Sequence, residues 1–177
     1  MDPKDLIEKA KSGDKEAFGK LYELYYLPVF RYVHFRIRKK EDTQDLVQII
    51  FVKVYESIGK YKEQGKEPLS YFFTVARNTV IDYLRKRQDL KLFEDAQIEA
   101  GDKSNPELFA EGGELKTIVD KAIQTLNNDQ KEVVILKFIV GLPNSEIAKQ
   151  MRKTEDAVRQ IQHRALKLLK EKLKIYE

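Results

Sequence analysis

Apolar residues recur three and four positions apart along almost the whole chain, and apolar–polar alternation over a strand's length is scarce. That spacing puts the apolar side chains of each segment on one side of a helix, where a second helix can cover them. The expected fold class is therefore all-α. Leu6–Lys11 reads as a short first helix stopped by Ser12-Gly13. Asp14 can cap a second, through Phe18, Leu21, Tyr22 and Tyr25, with Pro28 as either a kink or the start of a further turn. Val29–Arg38 continues helical, and its basic end, Arg36 to Lys40, suits the negative end of the helix dipole. Glu41–Ile58 and Leu69–Arg87 are two more helices on either side of a loop, Gly59–Pro68. The period returns at Leu115. Asn127 and Gln130 have the spacing of a capping box, and Gly141 can end the helix Asp129–Val140 in a left-handed cap. A short helix, Ser145–Met151, then precedes a long one from Glu155, with Thr154 as its cap.

The period lapses between residues 89 and 114. This stretch holds eight acidic and two basic residues, with Ser104-Asn105-Pro106 and Gly112-Gly113, the composition of a tether. Both flanks are basic: residues 1–88 carry 18 Lys/Arg against 13 Asp/Glu, and residues 115–177 carry 13 against 8. The expected organisation is a helical domain over 1–88, an acidic linker over 89–114 and a second helical domain over 115–177. Two basic blocks suit a polyanionic partner.

Several function classes are disfavoured at this point. With no Cys there is no disulfide framework, thiolate zinc site or cysteine nucleophile, and His34 and His163 lie far apart, so no metal or cofactor is expected. No nucleophile–base arrangement or Gly-rich phosphate loop stands out, so the chain is not expected to be an enzyme. No apolar run reaches the roughly 18 residues of a membrane span, and the charged start, MDPKDLIEKAKSGD, lacks a signal peptide's apolar core. A cytoplasmic protein is expected.

Three segments carry functional content. In Tyr71–Arg87, Phe72, Phe73, Ala76, Val80 and Leu84 form an apolar stripe, and Thr74, Arg77, Asn78, Asp82 and Arg85 a polar one. On these residues alone a solvated charged face and a nucleic-acid-reading face both remain open. The second is the short-helix–turn–long-helix at the end of the chain. Ile147, Ala148 and Met151 face inward from the first helix, and Ala157, Val158, Ile161, Ala165, Leu168 and Leu169 from the second. Arg159, Gln160, Gln162, His163, Arg164 and Lys167 are left outside, with types that reach base edges and phosphates. The third is Glu41–Ile58, whose wide stripe of Leu46, Val47, Ile50, Phe51, Val54, Tyr55 and Ile58 leaves Ile49 and Val52 outside it. That is more apolar surface than one-sided packing needs; it fits either a central helix or one that docks a partner.

Together, in this order, the three segments resemble the small two-domain extracytoplasmic-function sigma factors of bacterial RNA polymerase, over nearly the whole chain. Asp45-Leu46-Val47-Gln48 with Phe51 is similar to the family's D-L-V-Q-x-x-F segment of region two, which grips the clamp coiled coil of the polymerase β′ subunit. The resemblance implies core polymerase contacts at Asp45, Leu46, Gln48, Ile49 and Phe51. Val75-Ala76-Arg77-Asn78 and Ile81-Asp82-Tyr83-Leu84-Arg85 are similar to its I-A-R-N…I-D-Y-L-R segment, which captures an unstacked base of the −10 element. It implies −10 contacts at Tyr71, Thr74, Arg77, Asn78, Asp82, Arg85, Lys86 and Arg87. Leu126 to Leu169 resembles region four, which reads the −35 element, and implies contacts at Asn144, Thr154, Arg159, Gln160, Gln162, His163, Arg164 and Lys167. Where the family usually has Trp before I-A-R-N, this chain has Tyr71; a commonly basic position is Thr74, and the acid usual after D-L-V-Q is Ile49.

The fold implied is a region two bundle and a region four helix-turn-helix joined by an acidic linker. The function implied is directing core RNA polymerase to promoter DNA and helping melt the −10 element, under an anti-sigma factor. The alternative is a helix-turn-helix regulator that binds duplex DNA without polymerase.

Overall fold

Short polar side chains start several of the helices of the computed structural model, which describes residues 2–62, 67–93 and 113–174. Asp2 accepts from Lys4 N at 2.9 Å and opens α1 (Pro3–Lys11). Asp14 accepts from Ala17 N at 3.0 Å and opens α2 (Lys15–Ile37). α3 (Lys40–Ser57) runs into a 3-10 turn, Ile58–Lys60, and α4 spans Pro68–Phe93. Later in the chain come α5 (Gly113–Gln124), α6 (Asn128–Val134) with a π turn at Ile135–Val140, α7 (Asn144–Met151) and α8 (Glu155–Leu173). No strand occurs among the described residues, and the chain is all-α.

The chain divides into two units, Met1–Lys103 and Ser104–Glu177. In the first, α2 packs against α1, α3 and α4, and α3 against α4. Leu21, Val29, Tyr32, Val33, Ile50, Val54, Phe72 and Phe73 fill its centre. Pro28 does not end α2. It lies beside exposed Leu24, Leu27 and Arg31, so the Leu24 carbonyl, which Pro28 cannot serve, is on the solvent side within reach of water. α2 closes at Arg38, left-handed at φ 68°, whose N–H donates to the His34 carbonyl. In the second unit α8 packs against α5, α6 and α7 around Val133, Ile135, Leu136, Ile147, Val158 and Ala165.

The expected capping box forms. Asn127 Oδ1 accepts from Gln130 N at 2.9 Å and Gln130 Oε1 from Asn127 N at 3.2 Å. Asn127→Ala is expected to remove about 1 kcal/mol, lowering the melting midpoint of the second unit by roughly 4–8 °C in thermal unfolding followed by circular dichroism. Gly141 is left-handed at φ 88°, as the helix end requires. Its N–H and that of buried Leu142 both return to the Leu136 carbonyl.

Three local expectations are corrected. Residues 135–140 form a π turn where a regular helix was expected; a widened turn cannot turn this whole apolar run inward, and Phe138 is left exposed. α4 continues past Arg87 to Phe93, because no Gly or Pro interrupts residues 69–100. Tyr22, Tyr55 and Leu168, expected on inner faces, are exposed at 40%, 47% and 39%. The first two lie at stripe margins, where aromatic contacts cover one side of each ring: Tyr22 on Phe51 at 4.5 Å and Tyr55 on Phe18 at 4.9 Å. Leu168, three residues past buried Ala165, lies at the margin of the inward side of α8. Of the acidic stretch, residues 94–112 lie outside the described residues.

Candidate nucleic-acid interface

The α4 helix has the two faces its sequence implies. Phe72, Phe73, Ala76 and Val80 have no exposed surface and hold the helix against α2 and α3. On the opposite side Thr74, Asn78, Asp82 and Arg85 follow each other at helical spacing, all exposed, with Lys86 beside them; Arg77 is half-buried, and Arg87, exposed toward the end of the helix, lies half a turn round from Asn78. Burial on one side thus fixes the axis while the amide of Asn78 is presented to solvent. Asn78 carries both a donor and an acceptor, the combination that can pair with a base edge. The Thr74 hydroxyl donates to the Ser70 carbonyl at 2.9 Å. Asp82 lies 3.3 Å from Arg85 in an exposed ion pair, a weak contact that a phosphate can replace.

Tyr71 is half-buried. Its hydroxyl shares a 2.6 Å hydrogen bond with Ser57 Oγ, and its ring lies 5.0 Å from that of Tyr61. It therefore ties the start of α4 to the end of α3. Two further ties follow. Lys53 Nζ donates to Thr79 Oγ1 at 3.2 Å, and the Tyr83 hydroxyl donates to Asp42 Oδ2. Burial, then the bond to Asp42, raises the Tyr83 phenol above its ordinary pKa, while Arg87, a positive neighbour and donor, opposes the shift. The lysine, threonine, serine and tyrosine at these positions carry no local signal in the sequence, because their partners are 14 to 41 residues away.

On α3 the residues marked for a partner separate into two groups. Asp45, Gln48 and Ile49 are exposed, and Val52, one turn on from Gln48, joins them with 55% of its surface accessible. Leu46 and Phe51 are buried instead. The Phe51 ring packs on Tyr22 and, at 5.7 Å, on Phe72. These two support the α3 face from behind and do not present themselves to a partner. Val52 is absent from the contacts the resemblance implies, although its position off the apolar stripe is a signal for it.

In the second unit Ile147, Ala148 and Met151 of α7 and Val158 and Ala165 of α8 are buried. Small side chains at 148 and 165 let helices approach closely. Arg159, Gln160, His163, Arg164 and Lys167 are exposed along α8, and Gln162 is half-buried. Thr154 Oγ1 accepts from Ala157 N at 3.1 Å as the cap of α8, and Asn144 is half-buried at the first turn of α7. Arg159 stands 3.7 Å from Glu155 and 3.4 Å from Asp156. Lys153, in the turn, reaches Asp129 at 3.0 Å and ties the turn to α6. A short helix, a turn tied from behind and a long helix with an open polar face make a helix-turn-helix.

Two family models match the two units separately: Sigma-70 region 2 over residues 21–89, and Sigma-70, region 4, over residues 116–169. The ECF RNA polymerase sigma-E factor of Haemophilus influenzae is 30% identical over 182 residues, spanning 95% of this chain and 93% of that protein. The chain belongs to the extracytoplasmic-function sigma factors of the sigma-70 family. Among its other relatives in the family, BldN of Streptomyces coelicolor is 32% identical over 168 residues, 93% of this sigma factor and 63% of BldN. SigX of Bacillus subtilis is 28% identical over 167 residues, 91% and 86% of the respective chains. The fold of this sigma factor is also that of two solved structures. They are CnrH in complex with the cytosolic domain of CnrY (TM-score 0.73, 22% identity, 97% of each chain) and RpoE of Bartonella quintana in complex with the anti-sigma factor NepR (TM-score 0.75, 23% identity, 89% and 98%). No described helix of the sigma factor is long and apolar enough to cross a membrane.

Proposed function

We propose that this sigma factor docks on core RNA polymerase through α3 and captures a base of the opening −10 element with α4, while α8 reads the −35 element in the duplex. The domain assignment that goes with this is region two over residues 1–88, an acidic linker over 89–114 and region four over 115–177. The observation that carries the reading is the α4 face: an exposed amide at Asn78, cations at Arg85 and Lys86 beyond it, a further exposed cation, Arg87, toward the helix end, and a fully buried opposite side. Unstacking a base costs a few kcal/mol, and a site that holds the extruded base offsets this. The cations hold the strand's phosphates. Tyr71, tied to Ser57, braces the opened strand from a fixed position.

Asp45, Gln48, Ile49 and Val52 make the polymerase contact, a small apolar centre with a polar rim. No covalent step is involved; the work is binding and strand capture, in the cytoplasm with the polymerase. The tether joins two DNA contacts and raises the effective concentration of the second once the first is made. An anti-sigma factor is the proposed inhibitor; the RpoE relative of this fold was solved with one.

The decisive experiment is a gel shift on a fragment that the wild-type protein and core enzyme transcribe in run-off from genomic DNA. Retardation is expected with sigma factor plus core enzyme and not with the sigma factor alone at the same concentration. Equal retardation by the protein alone overturns the proposal in favour of a duplex-binding regulator.

A further inference from the structure

Arg87 is an exposed cation of α4; nine residues on from Asn78, it lies half a turn round the helix from that amide. A long exposed arginine samples many rotamers, and fixing it on one phosphate gives that freedom up. Tyr83 lies one turn earlier on the same side of α4 and is half-buried. Its hydroxyl donates to Oδ2 of Asp42, in the first turn of α3, and the four-residue spacing sets Arg87 beside the same phenol, where its positive charge acts on the hydroxyl. From the other side, Lys39 Nζ stands 3.6 Å from Asp42 Oδ1. Lys39, Asp42, Tyr83 and Arg87 thus form one chain of polar contacts, from the start of α3 to the cationic end of α4. A phenol can stand in the middle because it has a proton for the carboxylate and lone pairs left for the guanidinium; phenylalanine has neither.

We infer that Tyr83 is a positioning residue for promoter binding: held by Asp42, it sets the direction in which Arg87 is presented to a nucleic-acid phosphate. The inference rests on the reading of Arg87 as a phosphate contact in the −10 element. It explains why a tyrosine, and not an apolar residue of similar size, stands at a half-buried position facing α3. The exposed pair Asp82–Arg85 lies within one helix and is not tied to α3 in this way, which leaves Arg85 freer to move.

The test uses holoenzyme assembled from the full chain and core polymerase, on the fragment that the wild-type holoenzyme transcribes. Affinity is measured against salt, because each phosphate contact adds roughly 0.7–0.9 to the slope of log K on log salt. Arg87→Ala and Tyr83→Phe are each expected to lower the slope by about that amount, and Asp42→Asn to follow Tyr83→Phe. In an Arg87→Ala background, Tyr83→Phe is expected to change nothing further. If Arg87→Ala lowers the slope and Tyr83→Phe leaves it at the wild-type value, the positioning role is overturned and the phosphate reading stands. The positioning role is likewise overturned if Tyr83→Phe only lowers the melting temperature, or if its effect persists unchanged beside Arg87→Ala. If Arg87→Ala itself leaves the slope unchanged, the phosphate reading of Arg87 fails and the inference falls with it.

Discussion

Asn78→Ala should reduce open-complex formation by roughly 10- to 100-fold, equivalent to about 1–3 kcal/mol, the size of a hydrogen-bonded base contact. The residue is exposed on α4, and no apolar neighbour depends on it for packing. Its removal should therefore change stability by no more than about 0.5 kcal/mol. Core binding should be untouched, since the proposed polymerase contacts lie on α3. Permanganate reactivity of the opened strand measures the first quantity, and titration of the sigma factor onto core enzyme the second. If both fall by the same factor, Asn78 acts through the fold or through docking, and the base-capture role is lost. The large loss is expected because an extruded base must exchange its stacking and pairing for contacts in the protein. An alanine offers none of the hydrogen bonds, whereas the phosphate cations around it continue to bind the strand.

The second large effect divides α3 into its two groups. Leu46→Ala should cost about 2–5 kcal/mol of folding free energy, because the side chain is 5% exposed and its deletion leaves a cavity. Against a total stability of about 5–15 kcal/mol this is severe. Val52→Asp should behave in the opposite way. Val52 is 55% exposed, so the fold should keep its melting temperature while affinity for core polymerase drops by about 30-fold, the effect of losing a central contact worth about 2 kcal/mol. Chemical denaturation and core-binding titrations of the two variants should give reciprocal results. Unchanged core binding in Val52→Asp would mean that this face is merely solvated, and a cooperative, wild-type-like unfolding curve for Leu46→Ala would contradict its burial.

Much of the fold was legible without coordinates. Asp14, Asn127, Thr154 and Gly141 each act on neighbours within a few residues, and each forms the cap its type implies. The stripes of α4 and α7 were also readable, since Phe72, Phe73, Ala76, Val80, Ile147 and Ala148 sit at spacings that leave only one side for the core. The π turn at Ile135–Val140 was not readable. Every residue in it but Lys137 is apolar, so no polar marker records the slip in phase. Tyr22 and Tyr55 were misplaced for a related reason: a tyrosine at a stripe margin can be half covered by another ring and still count as apolar in the sequence.

The candidate interface divides along the same line. The local spacing of Thr74, Asn78, Asp82 and Arg85, and of Arg159, Gln160, His163, Arg164 and Lys167, was enough to place them on outward faces. The order of the three segments around an acidic stretch was enough to point to the family. What tertiary structure alone decided was which apolar residues of α3 are core and which are surface. That depends on how α2 and α4 cover α3, and Leu46 and Ile49 are equally apolar in the sequence. It also decided the polar ties Tyr71–Ser57, Thr79–Lys53 and Tyr83–Asp42. Such bonds join residues far apart in the chain, and whether two hydroxyls or a phenol and a carboxylate meet depends on the packing of the helices that carry them.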